Sequence, residues 1–209
     1  MMNRDFLIEQ TKFLSRLPGV EAIFLSGSQT QGTASKNSDI DLFIIANPGR
    51  IWTARFFVYT RLFLTGKMRR KKNTKDLFCP NHFITADNLE IQEKDAYSAN
   101  LFSHNIPLYD VNNIFVQFAK INQSWVGEFG ESFDSKWLVA NSEWQNHSQH
   151  STLCILHRWQ ESLLKHIQIT KIKLHPDIKL PGAKIILTDT ELRFHPRPRN
   201  RNWKKNNKA

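Results

Sequence analysis

The chain has only two cysteines in 209 residues, Cys79 and Cys154. Because they show no pairing pattern, no disulfide framework is predicted, and we expect a reducing, cytoplasmic environment. The N-terminal residues have no sustained apolar core and no small-residue cleavage site, so no secretory signal is predicted. The chain also lacks any G-x-G-x-x-G motif, and Thr33 stands where a P-loop starting at Gly27 would need its lysine.

Long uncharged hydrophobic runs are also missing. A membrane-spanning helix needs about 20 mostly apolar residues. The most apolar segment, residues 50–66, is interrupted by Arg55 and Arg61. Its aromatic residues recur at helical spacing, which predicts a buried helix and no membrane partner.

Acidic residues are scarce relative to basic ones: 19 Asp and Glu face 29 Lys and Arg, a net charge of +10. This balance suits polyanionic partners, namely nucleotides, nucleic acid or anionic surfaces, without choosing among them. Five of the six residues in Lys67–Lys72 are cationic, and residues 192–209 form a basic tail without an acid, predicted as flexible. Each segment is either a solvated surface or a contact for nucleic acid or polyphosphate, where Trp203 could stack on a base.

The most informative stretch is Ile23–Ala46. Two apolar runs, at 22–25 and 42–46, predict strands, and the polar residues between them leave room for a turn or two of helix. Asp39 and Asp41 are two residues apart at the start of the second strand and therefore project from one face. Two carboxylates so close repel each other unless a cation lies between them, and hard oxygen ligands suit Mg²⁺.

This stretch resembles the nucleotidyltransferase superfamily of DNA polymerase β type. The family signature is a strand ending in Gly-Ser, about ten residues, and Asp-x-Asp entering the next strand. Here Gly27 and Ser28 are followed by residues 29–38 and then by Asp39 and Asp41. The resemblance implies transfer of a nucleoside monophosphate from an NTP, with ATP the expected donor, to an acceptor hydroxyl. Two Mg²⁺ ions are expected, with Asp39 and Asp41 as ligands and Gly27 and Ser28 binding the β- and γ-phosphates.

In this superfamily a third carboxylate on a later strand completes the metal site. Residues 76–85 read as that strand, parallel to the Asp-x-Asp strand after a crossover helix. Its first residue, Asp76, is predicted to be the third catalytic carboxylate. Asn81 is a rival for the same place, although an amide cannot act as a base.

The predicted fold is α+β. A small mixed sheet with helices on one side forms a nucleotidyltransferase domain at 1–112, followed by a mainly helical region at 113–191 and the tail at 192–209. Helices are predicted at 5–17, 50–66 and 96–102, and a short strand at 89–92. A row of His147, His150, Cys154 and His157 rises too far along one helix to share an ion and is interpreted as packing.

The predicted function is therefore Mg²⁺-dependent nucleotidyl transfer to a protein, an RNA end or a small molecule. The alternative is a catalytically silent module of the same fold that binds nucleic acid through its basic segments.

Overall fold

A computed structural model describes residues 4–35, 37–70, 74–138, 158–174 and 184–195. Its centre is a six-stranded mixed sheet. The strands are β1 (Val20–Ser26), β2 (Ile40–Ala46), β3 (Phe78–Thr85), β4 (Ile106–Asp110), β5 (Lys184–Leu187) and β6 (Glu191–His195). They lie in the order β4-β1-β2-β3-β6-β5, and only β2 and β3 are parallel neighbours.

Five helices complete the described fold: α1 (Arg4–Ser15), α2 (Ile51–Leu64), α3 (Ala96–Ser103), α4 (Ile114–Glu128) and α5 (Arg158–Lys173). The helices predicted near the N-terminus, at 50–66 and at 96–102 are confirmed as α1, α2 and α3. Among the described residues, no helix combines the length and the apolar character needed to cross a bilayer.

Helices pack on both faces of the sheet, which corrects the prediction of helices on one side. One core joins α1, α2 and α5 to one face through residues such as Leu14, Ile44 and Trp52. The other joins α3 and α4 to the opposite face around Phe24 and Phe43. The sequence carries the reason, because β1 and β2 are apolar at successive positions rather than at alternate ones, as strands covered on both faces are.

Helix α5 connects the later part of the chain to the crossover helix. The N–H groups of Trp52 and Thr53, in the first turn of α2, donate to the carboxylate of Glu161 over 2.7 and 3.0 Å. The first N–H groups of a helix have no partner within the helix and favour an anion. Glu161 therefore caps α2 from more than 100 residues away in the chain.

Strands β5 and β6 form a hairpin that extends the sheet beyond β3. β6 pairs antiparallel with β3, with His82 opposite Arg193. The prediction of a sheet domain followed by helices is confirmed, and the hairpin adds two strands from the end of the chain. Residues 192–195, predicted as the start of the tail, belong to β6, and the rest of the tail lies outside the described residues.

The strand predicted at 89–92 is wrong. Leu89 and Ile91 are buried, but their backbone groups bond to one side chain of α4 instead of to a neighbouring strand. Asn122 accepts from the N–H of Ile91 over 3.0 Å and donates to the carbonyl of Leu89 over 2.9 Å. Strand β4, which was not predicted from the sequence, pairs antiparallel with β1.

Candidate active site

Asp39 and Asp41 lie side by side at the start of β2. Asp41 faces Ser26, the last residue of β1, in the antiparallel register. One carboxylate oxygen from each aspartate and the sulfur of Cys79 all lie within 4.8 Å of one another. The structure thus brings the two predicted metal ligands together and adds a thiol.

Gly27 makes room for Asp41. Its φ is +74°, and a Cβ built there would lie 2.3 Å from Oδ2 of Asp41, closer than any side chain could tolerate. The turn is held by Thr30, whose backbone N–H and hydroxyl both donate to the carbonyl of Gly27, over 3.1 and 2.9 Å. Ser28 is half-exposed in this single helical turn, one residue after the glycine that lies against Asp41.

Strand β3 supplies the rest of the cluster. Its parallel register sets Cys79 beside Asp41, and an irregularity follows between Leu42 and Phe43 of β2. Asn81 also reaches the site, where its Nδ2 donates to Oδ1 of Asp41 over 2.7 Å. Of the two residues that the sequence proposed for the third position, Asn81 therefore contacts the aspartate pair.

Asp76 lies elsewhere. β3 begins at Phe78, and Asp76 is exposed in the turn before it, with a φ of +57°. The backbone explains the shift, since Arg69 and Lys67 pair with Phe78 over 2.9 Å each and Leu77 closes a turn on Thr74. Asp76 does not belong to the described group of close ligand atoms, and its catalytic role stays a prediction.

One member of the basic run enters the site. Nη1 of Arg69 lies 3.0 Å from Oδ2 of Asp39 and 3.5 Å from Sγ of Cys79. By contrast, Lys67 points away and donates to Gln10 over 2.8 Å. Lys71 and Lys72 lie outside the described residues.

Burial and crowding perturb the acids of this cluster. Burial, followed by the nearby charge of Asp39, raises the pKa of Asp41 to about 7, although Arg69, Cys79 and Asn81 oppose the shift. Burial and the charge of Asp41 likewise raise the pKa of Cys79 to about 12. Burial is the larger cause of both shifts and the neighbouring negative charge the second, and a cation bound between these groups would oppose both.

The model of a known family matches this part of the chain: the nucleotidyltransferase domain, over residues 7–96. Residues 7–96 thus match a nucleotidyltransferase domain. The match covers β1, β2, α2, β3 and both aspartates, so the resemblance and the enzyme class predicted from the sequence are confirmed. The matched region also includes Arg69, Cys79 and Asn81.

Solved structures similar to the chain include a toxin–antitoxin protein crystallised with AMP-PNP, at 16% identity and a TM-score of 0.31. Another is a mutant of the toxin–antitoxin pair MntA-HpeT, at 13% identity and a TM-score of 0.29. Each alignment covers 61% of this chain and 92% of the other. No curated protein matches the chain significantly.

Sequence reasoning missed Cys79 and Arg69. A signal for Cys79 exists, because alternate residues of a strand share a face, and Asn81 was already a candidate. Starting the strand near Phe78 would have put Cys79 on the same side as Asn81. Arg69 carries no comparable signal, since nothing distinguishes it from the other cations of its run.

Proposed function

We propose that this chain is a metal-dependent nucleotidyltransferase that moves a nucleoside monophosphate from an NTP, preferably ATP, to an acceptor hydroxyl and releases pyrophosphate. The observation that carries the proposal is the carboxylate pair of Asp39 and Asp41 beside the Gly27–Ser28 turn, within a nucleotidyltransferase domain. A free thiol at Cys79 agrees with a reducing, cytoplasmic location.

The site fits the divalent metal that such a reaction requires. Ligand atoms of Asp39 and Asp41 are close together, and burial followed by the charge of Asp39 raises the pKa of Asp41, an effect that a bound cation would oppose. Asp39 and Asp41 would hold the metal, for which the sequence favours Mg²⁺ and two ions. A bound metal supplies neutralisation of the charge that develops on the phosphates and the leaving oxygens.

The remaining roles fall to the turn after β1. Ser28 is half-exposed there and would contact the β- and γ-phosphates, while Gly27 lets Asp41 approach the backbone. Transfer forms a bond from the acceptor oxygen to the α-phosphorus and breaks the bond to pyrophosphate, and the hydroxyl proton leaves to a base. A protein side chain, an RNA end and a small molecule are the acceptor classes to test.

A second function has specific support: a catalytically silent module of the same fold that binds nucleic acid. The β3 residues beside Asp41 are Cys79 and Asn81, neither of which is a carboxylate, and Arg69 already pairs with Asp39. In this case Arg69, Arg70 and the rest of the Lys67–Lys72 run would contact nucleic acid, together with the tail. Binding through phosphates weakens with salt by roughly one unit of log–log slope for each contact.

One experiment separates the two. The protein is incubated with labelled NTP, Mg²⁺ or Mn²⁺, and cell extract as the source of acceptor. We expect a labelled product whose formation falls by about a thousandfold or more in Asp41→Asn, because a lost metal ligand removes transition-state stabilisation. Asp87→Asn, an exposed turn substitution, is the matched control and should retain activity. Salt-sensitive RNA retention without labelling would instead support the binding module.

A further inference from the structure

We propose that Cys79 is a third metal ligand and that it shifts this site from Mg²⁺ towards thiophilic divalent cations such as Zn²⁺ or Co²⁺. The inference rests on the proposed function only in placing a metal at Asp39 and Asp41. It concerns which metal binds, so it can be tested by binding alone.

The first support is position. Cys79 on β3 and Asp41 on β2 are register partners in parallel strands, so both side chains rise from the same face of the sheet. The sulfur and the two carboxylate oxygens lie within 4.8 Å of one another. Tetrahedral Zn²⁺ with bonds of about 2.0 Å to oxygen and 2.3 Å to sulfur holds such ligands about 3.3–3.5 Å apart. Side-chain adjustments of at most about 1.5 Å would therefore close the site.

The second support is that a cationic side chain, the guanidinium of Arg69, already lies among the proposed ligands, where a metal ion would lie. Nη1 of Arg69 lies 3.0 Å from Oδ2 of Asp39 and 3.5 Å from Sγ of Cys79. That oxygen of Asp39 is buried and accepts no hydrogen bond from the described residues, so the guanidinium contributes charge without satisfying it. The side chain of Arg69 is 43% exposed, so solvent would accept its guanidinium if a bound ion displaced it.

The third support is orientation. Nδ2 of Asn81 donates to Oδ1 of Asp41 and fixes that carboxylate, as partners outside the ligand shell do in metal sites. Asn81 thus serves as a positioning residue, and Cys79, two residues earlier on the same strand, remains available as a ligand.

The chemistry follows from ligand softness. Carboxylate and water suit Mg²⁺, whereas a thiolate selects Zn²⁺ and other soft or borderline ions. Coordination forms a sulfur–metal bond and releases the thiol proton to solvent, so no oxidant or reductant is involved. A third carboxylate at position 79 would have suited Mg²⁺, which makes the cysteine the residue that decides selectivity.

The test uses the full chain in a Cys154→Ser background, so that Cys79 is the only thiol, with a phosphine reductant and no nucleotide. Co²⁺ is added and the near-ultraviolet absorption is followed, because thiolate-to-Co²⁺ charge transfer appears only when sulfur is a ligand. Affinities for Zn²⁺ and Mg²⁺ are measured by calorimetry. Cys79→Ser is the near-isosteric control, and Cys79→Asp supplies the missing carboxylate.

We expect the charge-transfer band in the parent protein and its loss in Cys79→Ser. Affinity for Zn²⁺ should fall about tenfold or more in Cys79→Ser while affinity for Mg²⁺ stays unchanged, and Cys79→Asp should bind Mg²⁺ more tightly than the parent. No charge-transfer band, or equal Zn²⁺ affinities in the parent and Cys79→Ser, would overturn the proposal.

The two proposals fail separately. A charge-transfer band without transfer to any acceptor would leave Cys79 as a ligand and refute the enzymatic function. Transfer supported by Mg²⁺, with no band and no effect of Cys79→Ser on Zn²⁺ affinity, would leave the function and refute the thiolate ligand.

Discussion

Strand β3 takes part in two groups of charged residues that differ in how their charge is balanced. Near its start, Cys79 joins Asp39, Asp41 and Arg69 in what we call the carboxylate–thiol cluster. Three residues further along, His82 joins Glu191, Arg193 and Glu93 in the buried network. Nε2 of His82 lies 3.1 Å from Glu191, and Nη1 of Arg193 lies 2.6 Å from Glu93.

In the buried network, cationic partners balance the negative charge of the acids, whereas in the carboxylate–thiol cluster they do not. Burial alone would raise the pKa of Glu191, but the hydrogen bond from His82 and the charges of His82 and Arg193 outweigh it, so the pKa is lowered. In the cluster, the same burial raises the pKa of Asp41. A buried acid whose charge is balanced by cationic partners stabilises the fold. A buried acid that lacks such partners is typical of a site that binds a ligand.

The largest effect should come from breaking the buried network. Arg193 is fully buried, so Arg193→Met removes the cation that Glu191 and Glu93 share and should cost about 3–5 kcal/mol of unfolding free energy. The matched change in the other group, Arg69→Met, removes a half-exposed ion pair and should cost less than about 1 kcal/mol. Urea unfolding measures both, and equal losses would contradict the contrast.

A smaller effect is expected where the backbone meets the cluster. Gly27→Ala places a Cβ against Asp41 in a residue of positive φ and should destabilise the protein by about 1–3 kcal/mol. Nucleotidyl transfer should also fall, because the Asp41 carboxylate is displaced. Gly49→Ala is the control, since its φ is +65° but nothing lies within 4 Å of the added Cβ. A similar loss in both variants would show that strain alone, not contact with Asp41, is responsible.

The next prediction concerns pH. Folding raises the pKa of Asp41 from 3.8 to about 7, so the folded state binds the proton more tightly and this group's contribution to stability falls as pH rises between those values. Asp41→Asn removes the titration. Without metal, it should be more stable than the parent at pH 8 by about 1–2 kcal/mol after allowing for solvent screening, and nearly equal at pH 4. Thermal unfolding across this range measures the difference, which a pH-independent offset would contradict.

The smallest effect should come from Asp76. Because it is exposed in the turn before β3, Asp76→Asn should change turnover less than about threefold. The control is Asp41→Asn under the same assay. A loss as large as that of Asp41→Asn would restore the role that the sequence predicted for Asp76.

The distance along the chain between interacting residues explains which parts of the site could be predicted from the sequence. Gly27, Ser28, Asp39 and Asp41 lie within one short stretch, where strand signals and motif spacing are local. Which residue of β3 becomes the third ligand beside Asp39 and Asp41 depends on the register between β2 and β3. A shift of one residue in that register moves every side chain of the strand to the other face of the sheet. The place of Cys79 beside Asp41 is therefore a property of the folded sheet.

Contacts over long separations were equally out of reach. Glu161 caps α2, and Glu191 pairs with His82 across 109 residues of chain. No periodicity in either segment encodes its partner. The two apolar faces of β1 and β2 did contain a signal, since successive buried positions predict helices on both sides of the sheet.

The pairing of β6 with β3 has a consequence for how the chain can be divided. The family match ends at residue 96, yet β3 pairs from His82 to Ile84 with β6, whose residues come more than 100 positions later. A fragment cut at the family boundary would present an open strand edge, with His82 separated from Glu191 and the first turn of α2 without its cap. Open edges recruit strands from other molecules, so such a fragment would self-associate. The β5–β6 hairpin thus protects the edge of β3 from pairing with other molecules.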